Sequence, residues 1–139
     1  MARRFTTLDH LTRGRVAWNI VTSYLERGAR SLGLDAQVGH DDRYERADDY
    51  LTLCYKLWEG SWEDTAVLAN RHNGQYANPA KDHRIEHEGP YYRSAGIYQY
   101  EPSPQRTPLL FQAGGSRRGQ AFAATHAECI FVDANAQRS

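Results

Sequence analysis

The sequence predicts an α/β protein built on parallel strands, and three observations predict it. Short, continuous apolar runs of β-branched and aromatic residues, the pattern of strands covered on both faces, occur at 15 to 21, 108 to 112 and 128 to 132. Amphipathic helical patterns precede or separate them. The stretch from 61 to 106 follows neither period, and it is too long for an ordinary connection, so it reads as an insertion between core strands.

In chain order, residues 2 to 11 (ARRFTTLDHL) read as the end of a helix with Phe5, Leu8 and Leu11 on one face, broken by Thr12-Arg13-Gly14. Arg15 to Ser23 contains the first strand, with polar residues at its C-terminal end. Residues 24 to 39 are ambiguous: a helical turn or two fits, but Gly28 and Gly33 weaken anything longer. From Asp41 to Trp58, Tyr44, Ala47, Leu51, Cys54 and Trp58 recur at steps of three and four, which is one helical face. Asp41 and Asp42 occupy its first turn, where they complement the helix dipole. Within the insertion only short strand-like pieces stand out, "RIEHEG" and "YYRSAG". A strand at 108 to 112, a helix at 116 to 127 and a strand at 128 to 132 close the pattern.

The 139 residues suit one domain. Seventeen basic side chains balance seventeen acidic ones, so the electrostatic footprint of a nucleic-acid or membrane-surface binder is missing. No window approaches the roughly 20 apolar residues of a membrane span, and "MARRFTTLDHL" lacks the apolar core of a secretion signal. Cys54 and Cys129 both sit in apolar periodic segments, as reduced, buried thiols of a cytoplasmic protein would. Nine tyrosines, three tryptophans and four phenylalanines point to a packed core or cavity.

The segment with most chemical content is "SPQRTPLLFQAGGSRRGQAFAATHAECIFV", 103 to 132. A strand that runs through Gly114-Gly115-Ser116 into a helix leaves unpaired N–H groups at the helix start. Glycine lets a ligand approach the backbone, and the dipole favours an anion. Ser116 can cap the helix or donate to a phosphate oxygen; an ordinary capped strand-to-helix turn reads equally well from these residues. His40 and Tyr44, four apart, share one side of the long helix and suit either a phosphate clamp or a histidine at the helix entry beside a core tyrosine. His83 and His87 flank Glu86, but extended backbone there leaves no third ligand, so no metal site is expected. Asp9 and His10 are adjacent on a helix and do not face each other.

Five segments together carry a resemblance: "RRFTTLDHLTRGRVAWNIVTS" (3 to 23), "HDDRYERADDYL" (40 to 51), "LWEGSWED" (57 to 64), "NPAKDHRIEHEGPYY" (78 to 92) and "SPQRTPLLFQAGGSRRGQAFAATHAECIFV" (103 to 132). In this order and spacing the chain resembles the luciferase-like flavin monooxygenases of the nitrilotriacetate monooxygenase and dibenzothiophene-sulfone monooxygenase branch. The resemblance implies a partial TIM (β/α)8 barrel, with residues 1–139 the central portion of one domain, the insertion at about 61–106, and the N-terminal and C-terminal barrel strands missing. A whole barrel needs about 250 residues. It implies an FMNH2-dependent oxygenase component that inserts one oxygen of O2 into a small organic substrate, with reduced FMN delivered by a separate NAD(P)H:flavin reductase.

By the same resemblance Gly114, Gly115 and Ser116 hold the FMN phosphate, His40 and Tyr44 match the family's H-D-x-R-Y positions at the phosphate and ribityl chain, and Asn19 and Ser23 end a strand pointing into the flavin pocket. No residue here takes a general acid or base role. The alternative is a truncated, non-catalytic remnant that at most binds FMN or phosphate, or complements another fragment. Three strands cannot close a barrel, so exposed apolar edges are expected to drive association, a homo-oligomer included.

Overall fold

The computed structural model describes residues 1–132. The chain divides into two compact units: Met1–Val16 with Asp49–Pro108, and Ala17–Asp48 with the residues from Leu109 onward.

The first unit holds helix α1 (Ala2–Thr12) and the C-terminal part of a long helix, α3 (His40–Gly60). α1 ends where the breaker was expected: Arg13 adopts the left-handed conformation and Gly14 N–H bonds back to Asp9 O at 3.0 Å. Leu51, Cys54 and Trp58 of α3 are buried as their spacing requires, together with Phe5, Ile85 and Tyr98. Cys54 is wholly inaccessible, and burial pushes its thiol up to about 12.

Residues 61 to 106 hold two hairpins in this unit. Strands β2 (Val67–Asn70) and β3 (Gln75–Ala77) pair antiparallel across Asn73-Gly74, with Gly74 at a φ of +70°, a turn signal that alternation alone does not reveal. Strands β4 (Ile85–Glu88) and β5 (Arg93–Gly96) form the second hairpin from the two strand-like pieces read in the sequence. Buried polar groups fasten these loops. Asp9 accepts from Gln105 N–H at 2.8 Å and Gln105 Nε2 at 2.6 Å, and Ser61 Oγ donates to His83 O at 3.0 Å while accepting from Tyr98 N–H at 2.7 Å.

The second unit holds the parallel sheet. Strands β1 (Ala17–Ile20), β6 (Leu109–Gln112) and β7 (Cys129–Ile130) lie in the order β1-β6-β7, both pairings parallel. These are the three expected core strands, shortened at their ends. Leu110 and Gln112 of the central strand are buried. Between β1 and α3 the ambiguous segment forms a six-residue helix, α2 (Glu26–Ser31). Gln37 ties it down: its N–H donates to Glu26 Oε2 at 3.2 Å and its side chain donates to Leu25 O at 3.4 Å. Helix α4 (Arg117–His126) starts at the Ser116 cap and carries Phe122 and Ala123 into the core. Cys129 is half-buried rather than buried, because β7 forms one edge of the sheet. Both cysteines are free thiols.

Candidate functional site

In a parallel α/β sheet, ligands gather at the C-terminal ends of the strands, where loops and helix N-termini meet. The second unit places its chemically distinctive residues there. Register sets Ile20 beside Gln112, so the chain leaves β1 toward Ser23 and β6 toward Gly114 at the same end of the sheet.

Ser116 is the N-cap of α4, and its Oγ accepts from Gly119 N–H at 3.0 Å. The same oxygen lies 3.2 Å from His40 Nε2, and His40 Nδ1 lies 2.6 Å from Asp41 Oδ1 at the start of α3. One helical turn along α3, the Tyr44 ring packs against the His40 ring at 5.2 Å and against Phe122 at 5.4 Å. Its hydroxyl fits between two glycines: a Cβ on Gly114 would lie 2.8 Å from it, and one on Gly119 would lie 2.7 Å away. Gln112 Nε2 donates to the same hydroxyl at 3.4 Å. Tyr44 thus belongs both to the apolar stripe of α3 and to the polar corner, because its ring is buried while its hydroxyl meets backbone that carries no side chains.

Gly115 differs from its neighbours. A Cβ there would meet nothing within 4 Å, so the backbone at the tip of the turn is open. An open turn at the start of a ten-residue helix, beside a serine hydroxyl, a phenol and an imidazole, has the donor set of a phosphate site. The residues therefore fit the phosphate of a flavin mononucleotide.

The structure brings together five of the seven expected residues: His40, Tyr44, Gly114, Gly115 and Ser116. Asn19 lies on the exposed face of β1. Ser23, also exposed, sits beyond the strand at a φ of 66°, a left-handed conformation uncommon for serine, and its Oγ accepts from Gln37 Nε2 at 3.5 Å. Three contributors were not read from the sequence. Gly119, three residues past the cap, was the legible one, since "GGSRRG" repeats glycine at the spacing of one helical turn. Gln112 is a polar residue ending an apolar strand, and Asp48, which pairs with Arg118 and His126, continues the His40–Tyr44 spacing by another four.

His83 and His87 each pair with a carboxylate, His83 Nε2 lying 2.8 Å from Glu63 Oε1. In the first unit His87 Nε2 lies 2.8 Å from Asp49 Oδ1, both side chains buried, and Asp49 Oδ2 accepts from Tyr91 N–H at 2.9 Å and Tyr92 N–H at 2.8 Å. Burial works against the Asp49 carboxylate, yet these three donors hold its pKa below the usual value. Among the described residues no three His, Cys, Asp or Glu side chains converge as metal ligands, and no helix is long and apolar enough to cross a membrane.

Known proteins share much of this sequence and fold. Long-chain alkane monooxygenase of Geobacillus thermodenitrificans is 55% identical over 94% of this chain and 30% of its own length. Dimethyl-sulfide monooxygenase of Hyphomicrobium sulfonivorans is 55% identical over 95% of this chain and 28% of its own. Nitrilotriacetate monooxygenase component A of Aminobacter aminovorans, from the branch expected on sequence, is 41% identical over 95% of this chain and 29% of its own. A crystal structure of riboflavin lyase with modified FMN and riboflavin superposes with a TM-score of 0.89 at 53% identity, covering 94% of this chain and 29% of that one. The chain thus spans about 30% of the relatives it matches. All of residues 1–139 match the family described as luciferase-like monooxygenase, and the chain belongs to that family.

Proposed function

We propose that this chain is the FMN-phosphate-holding segment of an FMNH2-dependent monooxygenase, the oxygenase component of a two-component system. On this reading residues 1–139 are the central portion of one luciferase-like barrel domain, with 61–106 an insertion and further strands supplied outside this segment. The single observation that carries it is the convergence of Ser116 Oγ, His40 Nε2 and the Tyr44 hydroxyl around an open glycine turn at the start of α4.

Ser116 Oγ and the Gly115 N–H donate to phosphate oxygens, and Gly114 and Gly119 leave room for the Tyr44 hydroxyl beside them. His40 lends a second donor through Nε2. Asn19, near the C-terminal end of β1, and Ser23, just beyond it, face the flavin beyond its phosphate. When bound, reduced FMN supplies the electrons that let one oxygen of O2 enter a small organic substrate while the other leaves as water. The relative named as a component A supports a separate NAD(P)H:flavin reductase as partner.

The test is a fluorescence titration of the 139-residue chain with FMN and with riboflavin, which lacks the phosphate. FMN should bind about tenfold or more tightly, the equivalent of about 1.4 kcal/mol. Ser116→Ala and Tyr44→Phe should each erode that preference without changing riboflavin binding. Equal affinity for the two flavins in the unmodified chain overturns the assignment.

A further inference from the structure

Two helical stripes meet at the phosphate corner. On α3, His40, Tyr44 and Asp48 recur every fourth residue; on α4, Arg118, Phe122 and His126 do the same. Residues four apart share a helix face, so each triplet forms one continuous ridge. The ridges meet rung by rung. His40 reaches the Ser116 cap, the Tyr44 ring packs on Phe122, and Asp48 closes the far end by binding both Arg118 and His126.

That closing contact has an unusual shape. Asp48 Oδ2 accepts from the Arg118 guanidinium, and Asp48 Oδ1 lies 2.9 Å from His126 Nε2. The His126 ring packs on Phe122 at 4.7 Å, and the Arg118 guanidinium carbon stands 5.6 Å above the Tyr44 ring. One carboxylate therefore holds two side chains, and both lean on the aromatic pair that aims the Tyr44 hydroxyl. An arginine fork placed over a tyrosine face gains cation–π attraction and, with its other edge on a carboxylate, has little freedom to leave.

We infer that Asp48 is a positioning residue for phosphate binding: it locks Arg118 over the Tyr44 ring and thereby fixes the Tyr44 hydroxyl in the glycine corner. This rests on the FMN-phosphate reading above, and it assigns a role to three residues, Asp48, Arg118 and His126, that do not touch the phosphate. It also makes a prediction opposite in sign to simple electrostatics. Removing a carboxylate near a phosphate dianion should strengthen binding by Coulomb's law alone. Removing a positioning residue should weaken it.

The experiment measures FMN and riboflavin dissociation constants for the 139-residue chain carrying Asp48→Asn, Arg118→Lys and both, with far-UV circular dichroism on each. Arg118→Lys keeps the charge but loses the fork and the stacking, so it carries the test if Asp48→Asn does not fold. The expected result is a loss of FMN affinity of roughly tenfold in each single variant, the scale seen when partners that orient a ligand's contacts are removed. Riboflavin affinity should be unchanged, and the double variant no worse than either single one, because the two substitutions break one interaction. Unchanged or tighter FMN binding overturns the inference, as does an equal loss for both flavins, which would mark a purely structural role. If the unmodified chain does not prefer FMN to riboflavin, the phosphate reading fails first and takes this inference with it.

Discussion

Asp48 and Asp49 are neighbours on one helix, about 100° apart around its axis, and each belongs to a different unit of the molecule. Asp49 is buried, and its oxygens are occupied by His87 and the N–H groups of Tyr91 and Tyr92. Asp48 is about a third exposed and holds two side chains beside a corner with open backbone. The same carboxylate–histidine pairing thus serves two ends. Where every donor and acceptor is consumed inside the protein, the pair fastens a hairpin to a helix. Where Ser116 and Gly115 stay exposed, the pair closes one end of the contact between α3 and α4.

The contrast is sharpest under substitution. Asp49→Ala should have the largest effect: it strands a buried imidazole and two N–H groups, at a cost of about 3 kcal/mol, measured by urea unfolding. Because its folded pKa is lowered, the Asp49 contribution is fully present above the unfolded value of about 3.8 and is lost as pH falls through the lower folded value. An acid-side fall in stability that is absent from Asp49→Ala would confirm the source.

Gly89→Ala should come next. A Cβ there would lie 1.8 Å from Asp49 Oδ1, so the turn or the carboxylate must move, at about 1–3 kcal/mol, read as a lower thermal midpoint. Ser116→Ala removes the α4 cap and should cost about 1 kcal/mol, with a fall in FMN affinity that no change in the first unit produces. Gly115→Ala should have the smallest effect on stability, within about 0.5 kcal/mol, since nothing surrounds its Cβ. If its FMN affinity nonetheless drops in the same titration, the open space belongs to the ligand; if both stay unchanged, the turn is only a turn.

Much of the fold was legible because it is local. The Tyr44-to-Trp58 stripe, the Thr12-Arg13-Gly14 stop and the serine before α4 follow from helical period, backbone sterics and capping, which neighbouring residues settle among themselves. The site was half legible. Ser116 and the glycines read as an anion corner or as an ordinary capped turn, His40 and Tyr44 as a phosphate clamp or as a helix entry and a core residue, and only the family resemblance points them at a phosphate. Gln112 and Asp48 stayed silent: a polar residue on a strand end or a helix face looks solvated until its partner is known. The Gln37 tie across the ambiguous segment was equally hidden, because its partners lie 11 and 12 residues away.

By itself, then, the sequence determined the helices at 2 to 11, 41 to 58 and 116 to 127, the three core strands between and after them, and that those core strands run parallel. Hydrophobic period and backbone chemistry are properties of a few consecutive residues. The tertiary structure alone decided the order β1-β6-β7, which levels the ends of two strands 92 residues apart. It also decided that the phenol of Tyr44 would lie between Gly114 and Gly119. Those arrangements come from side chains far apart in the chain competing for the same buried space, and no local pattern records which of them wins.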